Sequence, residues 1–229
     1  MYKRQPLYLL RLLAARPADA ARRALQGVGA ETPRPLRGGT ASGDATDARV
    51  AYAALHDWAR QLGRNALLQA CETMAENAPP GAWRVLPGPT GEANIYALRP
   101  REAVLCLAES DDDRLVQLAA VMTVGGRALW PTESISLWEH LPAAVRERVA
   151  LAQDWRGQAV SFDAVLFSGT DEQLLEVQQQ LAARPGPIVA VSVVAAGGAA
   201  APLERLLIER SVSINTAAAG GNASLMTIG

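Results

Sequence analysis

The strongest constraint lies between residues 103 and 194, where two kinds of segment alternate. Mainly apolar segments too short for helices occur at 103–108, 128–130, 163–167 and 188–194, broken by Asp163 and Ser192. Between them, apolar residues recur at helical spacing, as in Leu115, Leu118, Ala119 and Met122. A strand apolar along its whole length has both faces covered, which is the signature of a parallel sheet flanked by helices. The expected fold class is therefore α/β: a Rossmann-like, mostly parallel sheet of about four strands with flanking helices and right-handed crossovers. Thr170 and Gln173 have the spacing of a capping box, which predicts a helix from there to Ala183. Gly125-Gly126 and Pro131 punctuate the earlier elements, and helices are expected at 133–141 and 142–151.

Around this centre the chain divides into five segments. Residues 1–26 read as an N-terminal helical segment, and 27–47, rich in Gly, Pro, Thr and Ser, as a linker. Val50, Ala54, Leu55, Trp58 and Leu62, then Leu67, Leu68, Cys71 and Met74, predict a helical pair over 48–82 with Asn65 as a cap. Residues 83–208 form the α/β domain, led by a β-hairpin (83–86 and 94–98) whose loop runs through Pro87-Gly88-Pro89-Thr90-Gly91. Residues 202–208 are expected to be helical. The last segment, 209–229, holds an alternating strand at 211–215 and a tail too rich in small residues to fill a core.

Composition limits the function classes. The chain has 229 residues, 49% hydrophobic and 20% charged, so a sizeable core is expected. Two cysteines cannot staple a fold. The longest apolar stretch, 188–203, is interrupted by Ser192 and Gly197-Gly198 and is too short to cross a bilayer. Arg11 breaks the run that would make a secretory signal, so the expected location is cytoplasmic. Residues 1–37 carry a surplus of positive charge, but the arginines follow an Ala/Leu helical pattern with little aromatic interleaving. That favours a solvated helix face over a nucleic-acid contact. Lys3 is the sole lysine, and Met1-Tyr2-Lys3-Arg4-Gln5 is what a common transposon sequencing adapter encodes from a GTG start. Residues 1–5 are then not native and the chain is part of a longer reading frame; the alternative is a natural start in an arginine-biased genome.

Few residues offer chemistry. Cys71 and Cys106 fall within apolar patterns and read as small core hydrophobes, with no CxxC pair. His56 and His140 lie far apart and give no metal-ligand spacing, so they read as surface or capping residues. A dinucleotide pyrophosphate requires glycines at the first strand-to-helix turn. Here Glu109, Asp111, Asp112 and Asp113 stand at that turn, where they occupy the positive end of the helix dipole and repel a phosphate. Neither GxGxxG nor GxxxxGK[ST] occurs, so catalytic, cofactor and metal residues are expected to be absent.

The carboxy-terminal stretch is the most informative. Asn215, Thr216 and Asn222 offer side-chain hydrogen bonds, Gly220-Gly221 permits close backbone approach, and Leu225-Met226-Thr227-Ile228 is an apolar end that a frayed tail would leave in water. The segment LERLLIERSVSINTAAAGGNASLMTIG (203–229) resembles the carboxy terminus of long-form proline utilization A, a bifunctional flavoenzyme family joining proline dehydrogenase to L-glutamate-γ-semialdehyde dehydrogenase. PLYLLRLL (6–13), LPGPTGE (86–92), VLCL (104–107) and LVQLAAV (115–121) are also similar to it. The arginine expected in that pattern is missing at Glu92-Ala93-Asn94.

The resemblance implies a non-catalytic carboxy-terminal domain, related to the aldehyde dehydrogenase Rossmann domain. It would act as lid and assembly element for the aldehyde dehydrogenase domain of the same parent chain and aid substrate channelling. Residues 211–221 correspond to an oligomerisation flap. The implied interdomain contacts are Glu209, Arg210, Asn215, Thr216, Gly220, Gly221, Asn222 and Leu225. FAD and NAD would belong to the parent enzyme, a homo-oligomer, and the fragment alone would be inactive. The alternative from another class is a stand-alone Rossmann-like nucleotide-binding regulatory module.

Overall fold

The computed structural model describes residues 41–78, 83–88 and 92–215. The expected helical segment 1–26, most of the linker, the hairpin loop at 89–91 and the tail beyond 215 lie outside the described residues. The chain forms two compact units: 39–79 with 100–207, and a smaller one whose described parts are 83–88, 92–99 and 208–215.

In the larger unit, strands β3 (Val104–Ala108), β4 (Ala128–Pro131), β5 (Val149–Ala152), β6 (Ala164–Ser168) and β7 (Ala190–Val193) form one sheet in the order β5-β4-β3-β6-β7. Every pairing is parallel. Counted from β3, the order is 3-2-1-4-5, that of the dinucleotide-binding α/β folds. The apolar runs are explained residue by residue. Val104 and Cys106 enter one core with Trp130 and Leu166, while Leu105 and Leu107 enter the other with Leu129 and Phe167. Alternate side chains point to opposite faces, so a strand buried on both sides must be apolar throughout.

The first core is closed by α1 (Ala41–Gln61), α2 (Asn65–Glu76) and α3 (Asp111–Thr123). The second is closed by α6 (Asp171–Ala182) and by the β5–β6 crossover, which contributes Trp155 and Phe162. That crossover carries no helix. Arg184 organises it by donating to the carbonyls of Trp155, Gly157 (2.9 Å) and Val160 (2.7 Å).

Several expectations need correction. The sheet, expected at about four strands, has five. The helix expected over 142–151 ends as α5 (Ala143–Arg146), and β5 follows it. Val145 and Val149 mimic a helical i, i+4 stripe, yet Val149 and Ala152 enter opposite cores, as they do only in a strand. The helix expected at 133–141 is a 3₁₀ turn (Thr132–Ser134) followed by α4 (Ile135–Glu139). The linker's last residues, 41–47, already belong to α1. Its buried face is Ala48, Ala51, Leu55 and Ala59, whereas Val50 and Leu62 are exposed. Alanines at this spacing let helices approach closely but give little hydrophobic signal. Asn65 does not cap α2; Arg64 stands at the cap position and its side chain instead bonds Asp112 at 3.0 Å. The capping box at Thr170 is present.

The helical pair belongs to the same compact unit as the parallel sheet, because Leu55, Leu67 and Met74 share a core with α3. The hairpin β1 (Trp83–Leu86) and β2 (Glu92–Pro100) groups with the carboxy-terminal strand β8 (Leu207–Asn215) as a sheet of order β1-β2-β8. The expected helix at 202–208 is a 3₁₀ turn over Leu203–Leu206. Its buried residues Leu203 and Leu206 are three apart, the 3₁₀ repeat, and the strand begins at Leu207 rather than Ser211.

Candidate functional site

Two places could hold a site: the carboxyl end of the parallel sheet and the flap strand β8. In open α/β sheets, ligands bind outside the carboxyl ends of the strands where the order reverses, here between β3 and β6. The chain's own groups tie that point together. Ser110 caps α3, accepting from the Asp113 N–H at 3.1 Å and donating to its carboxylate at 2.7 Å. The other Asp113 oxygen accepts the Gly197 N–H from the loop after β7, at 2.7 Å. Gln173 donates to Glu109 at 2.6 Å and accepts the Thr170 N–H at 2.8 Å. Gln117, 0% exposed, donates to the Leu107 carbonyl (2.9 Å) and to the Ser168 hydroxyl (3.0 Å). Arg114 reaches Asp111 at 3.2 Å and also the Ala108 carbonyl.

These residues do not fit a dinucleotide. Asp111, Asp112 and Asp113 fill the first turn of α3, where a pyrophosphate would sit. Gly169 is explained internally too, since a Cβ there would stand 2.5 Å from the Gln173 side chain and 2.8 Å from the Phe167 ring.

The cysteines and histidines have structural roles. Burial, helped by the charge of Glu72, pushes the Cys71 thiol up to about 11. Burial pushes Cys106 up to about 12, against the opposing influence of Arg114 and Trp130. Both are protonated at neutral pH and make poor nucleophiles. His56 lies 4.0 Å from Glu72 and 3.8 Å from Asp57, and the His140 Nδ1 lies 2.6 Å from the Ser136 carbonyl. Among the described residues, no group of three or more His, Cys, Asp or Glu side chains is placed to hold a metal ion. Nor is any described helix long and apolar enough to cross a membrane.

On the flap, Glu209 stands beside Tyr96. Burial first, then the nearby Glu209 charge, raise the phenol to about 12. Ser213 donates to Glu92 at 2.6 Å and also contacts Asn94. Partner numbers fall along β8 as they rise along β2, so the two strands run antiparallel. Arg210 alternates to the other face, which it shares with Val212 and Ile214, 37% and 40% exposed. Asn215 is the last residue of β8. Thr216, Gly220, Gly221, Asn222 and Leu225 lie outside the described residues. Sequence reasoning passed over Tyr96 and Ser213; the only available signal was the polar alternation of β8 itself.

No family model matches the chain. The bifunctional protein PutA of Escherichia coli is 46% identical over 232 residues, covering 98% of this chain and 16% of that protein. Its counterpart from Salmonella typhimurium is 47% identical over 226 residues, with the same coverage of both. A solved structure of proline utilization A with proline bound in remote sites superposes with a TM-score of 0.47 at 20% identity, over 81% of this chain and 23% of that one. The chain thus spans about a sixth of the length of the curated relatives it matches. On the strength of the sequence matches, it belongs to the proline utilization A (PutA) family.

Proposed function

We propose that this chain is the non-catalytic carboxy-terminal domain of a bifunctional proline-catabolic enzyme, in which it serves as lid and assembly element for the aldehyde dehydrogenase domain. The parent would oxidise proline to glutamate through pyrroline-5-carboxylate and glutamate semialdehyde, using FAD and NAD held elsewhere in its chain. Its location would be cytoplasmic and its assembly homo-oligomeric. The observation that carries this reading is β8: among the described residues, an edge strand of nine residues with Val212 and Ile214 exposed, in a chain so similar to PutA. An unpaired strand edge bearing apolar side chains is a template for another surface. Glu209, Arg210 and Asn215 belong to that strand, and the tail through Thr216, Gly220, Gly221, Asn222 and Leu225 would continue the contact.

The test is deletion of residues 211–229 from a full-length parent. Proline dehydrogenase activity should persist, while aldehyde dehydrogenase activity or the coupling of the two steps falls. Equal coupled flux before and after deletion would refute the lid role. The isolated chain should neither oxidise proline nor reduce NAD.

One observation favours a second reading, a nucleotide-binding regulatory module: the 3-2-1-4-5 strand order. The carboxylates at the first turn of α3 oppose it. Calorimetry with NAD or ATP separates the two readings, since tight binding would support the module.

A further inference from the structure

β2 and β8 are far apart in sequence, so their pairing closes a long loop at an entropic cost. Where the strands begin and end, one residue ties their roots together. Pro100 ends β2 and has no N–H to donate. The next residue, Arg101, donates its N–H to the Leu206 carbonyl at 3.0 Å, immediately before β8 starts. The Arg101 side chain adds to that tie. Nε donates to the Arg205 carbonyl at 2.8 Å, a partner 104 positions away. Nη1 donates to the Asp163 carbonyl at 3.0 Å and lies 3.7 Å from the Asp163 carboxylate. Asp163 is itself held in place: its carboxylate accepts the Ala103 N–H at 3.2 Å, and its N–H donates to the Ala103 carbonyl at 3.0 Å. Leu206, 1% exposed, anchors the other root in the core.

We infer that Arg101 is the positioning residue that fixes where β8 starts beside the end of β2, by holding Pro100 and Leu206 at the Asp163 anchor. The rigid fork of the guanidinium serves two carbonyls on different segments at once, which an ammonium on a flexible stem does poorly. This inference does not depend on what the flap packs against.

Amide hydrogen exchange on the full chain tests it, comparing β8 with β3 and α3. In Arg101→Ala, β8 amides should exchange about tenfold faster or more, while β3 and α3 keep their protection. Arg101→Lys, which keeps the charge and loses the fork, should show the same selective loss, and it carries the test if the alanine variant fails to fold. Equal acceleration in β8 and α3 would make Arg101 a merely structural residue and overturn the inference, as would unchanged exchange in β8.

Discussion

The two sheets of this chain solve the same problem in opposite ways. At its centre the parallel sheet is covered on both faces, so Val104 to Leu107 alternate between two cores and leave almost no apolar surface to water. In the flap sheet, Tyr96 is the one buried side chain among those whose burial is described, while Leu86, Val212 and Ile214 remain exposed. A three-stranded sheet with so little burial gains little from folding by itself. The contrast separates a region that makes its own core from one that, in the function proposed above, relies on another surface to finish its strand.

The largest effect that would break this contrast is in the core. Leu118→Ala, on the buried face of α3, should cost about 2–5 kcal/mol in denaturant unfolding. Ile214→Ser should change the same measurement by less than about 0.5 kcal/mol, while lowering aldehyde dehydrogenase activity or coupled flux in a full-length parent. Similar losses of stability in both variants would erase the distinction.

A smaller effect sharpens it within the parallel unit. Arg184→Ala leaves the Trp155, Gly157 and Val160 carbonyls without their donor and should cost about 1–3 kcal/mol. Hydrogen exchange should rise over residues 153–163 before it rises in β6, because the crossover has no helix to hold it.

The smallest effects are protonic. The Tyr96 phenol is raised from 10.0 to about 12, so the folded flap keeps a proton that the unfolded chain releases. Its contribution to stability is complete below pH 10 and is lost as pH rises toward 12. Phenolate absorbance should contain a late-titrating component that Tyr96→Phe diminishes, the rest coming from Tyr52, whose phenol burial also pushes up; titration of every phenol near pH 10 would contradict the burial. The thiols follow the same sign in the other unit. Cys71 and Cys106, raised from 9.0 to about 11 and about 12, should resist thiol reagents until the core unfolds, and they reduce stability as pH climbs above 9.

What was legible from the sequence follows from locality. The strands β3 and β6 were visible because burial on both faces writes an unbroken apolar run. The α6 start was visible because a capping box involves residues three apart. β5 was hidden because Val145 and Val149 satisfy a helical period as well, and only pairing with β4 decides between the two states. The start and buried face of α1 were hidden because Ala48, Ala51 and Ala59 pack closely without a strong hydrophobic signature. In the flap, Glu209 and Arg210 stood out by resemblance, but their surroundings did not. Ser213 meets Glu92 and Asn94 across 121 and 119 positions, and no local pattern encodes such a pair.

The sequence alone determined the α/β class, the apolar strands at its centre, the acidic first turn that opposes a phosphate, and the likeness to the PutA family. Each of these is set by neighbouring side chains or by matching words in the chain. Only the tertiary structure decided that β3 is central, that a fifth strand lies beyond β4, and that the hairpin takes β8 as its third strand. Those outcomes depend on which backbone donors and acceptors find one another after long loops close, and that energy belongs to the folded arrangement rather than to any stretch of residues.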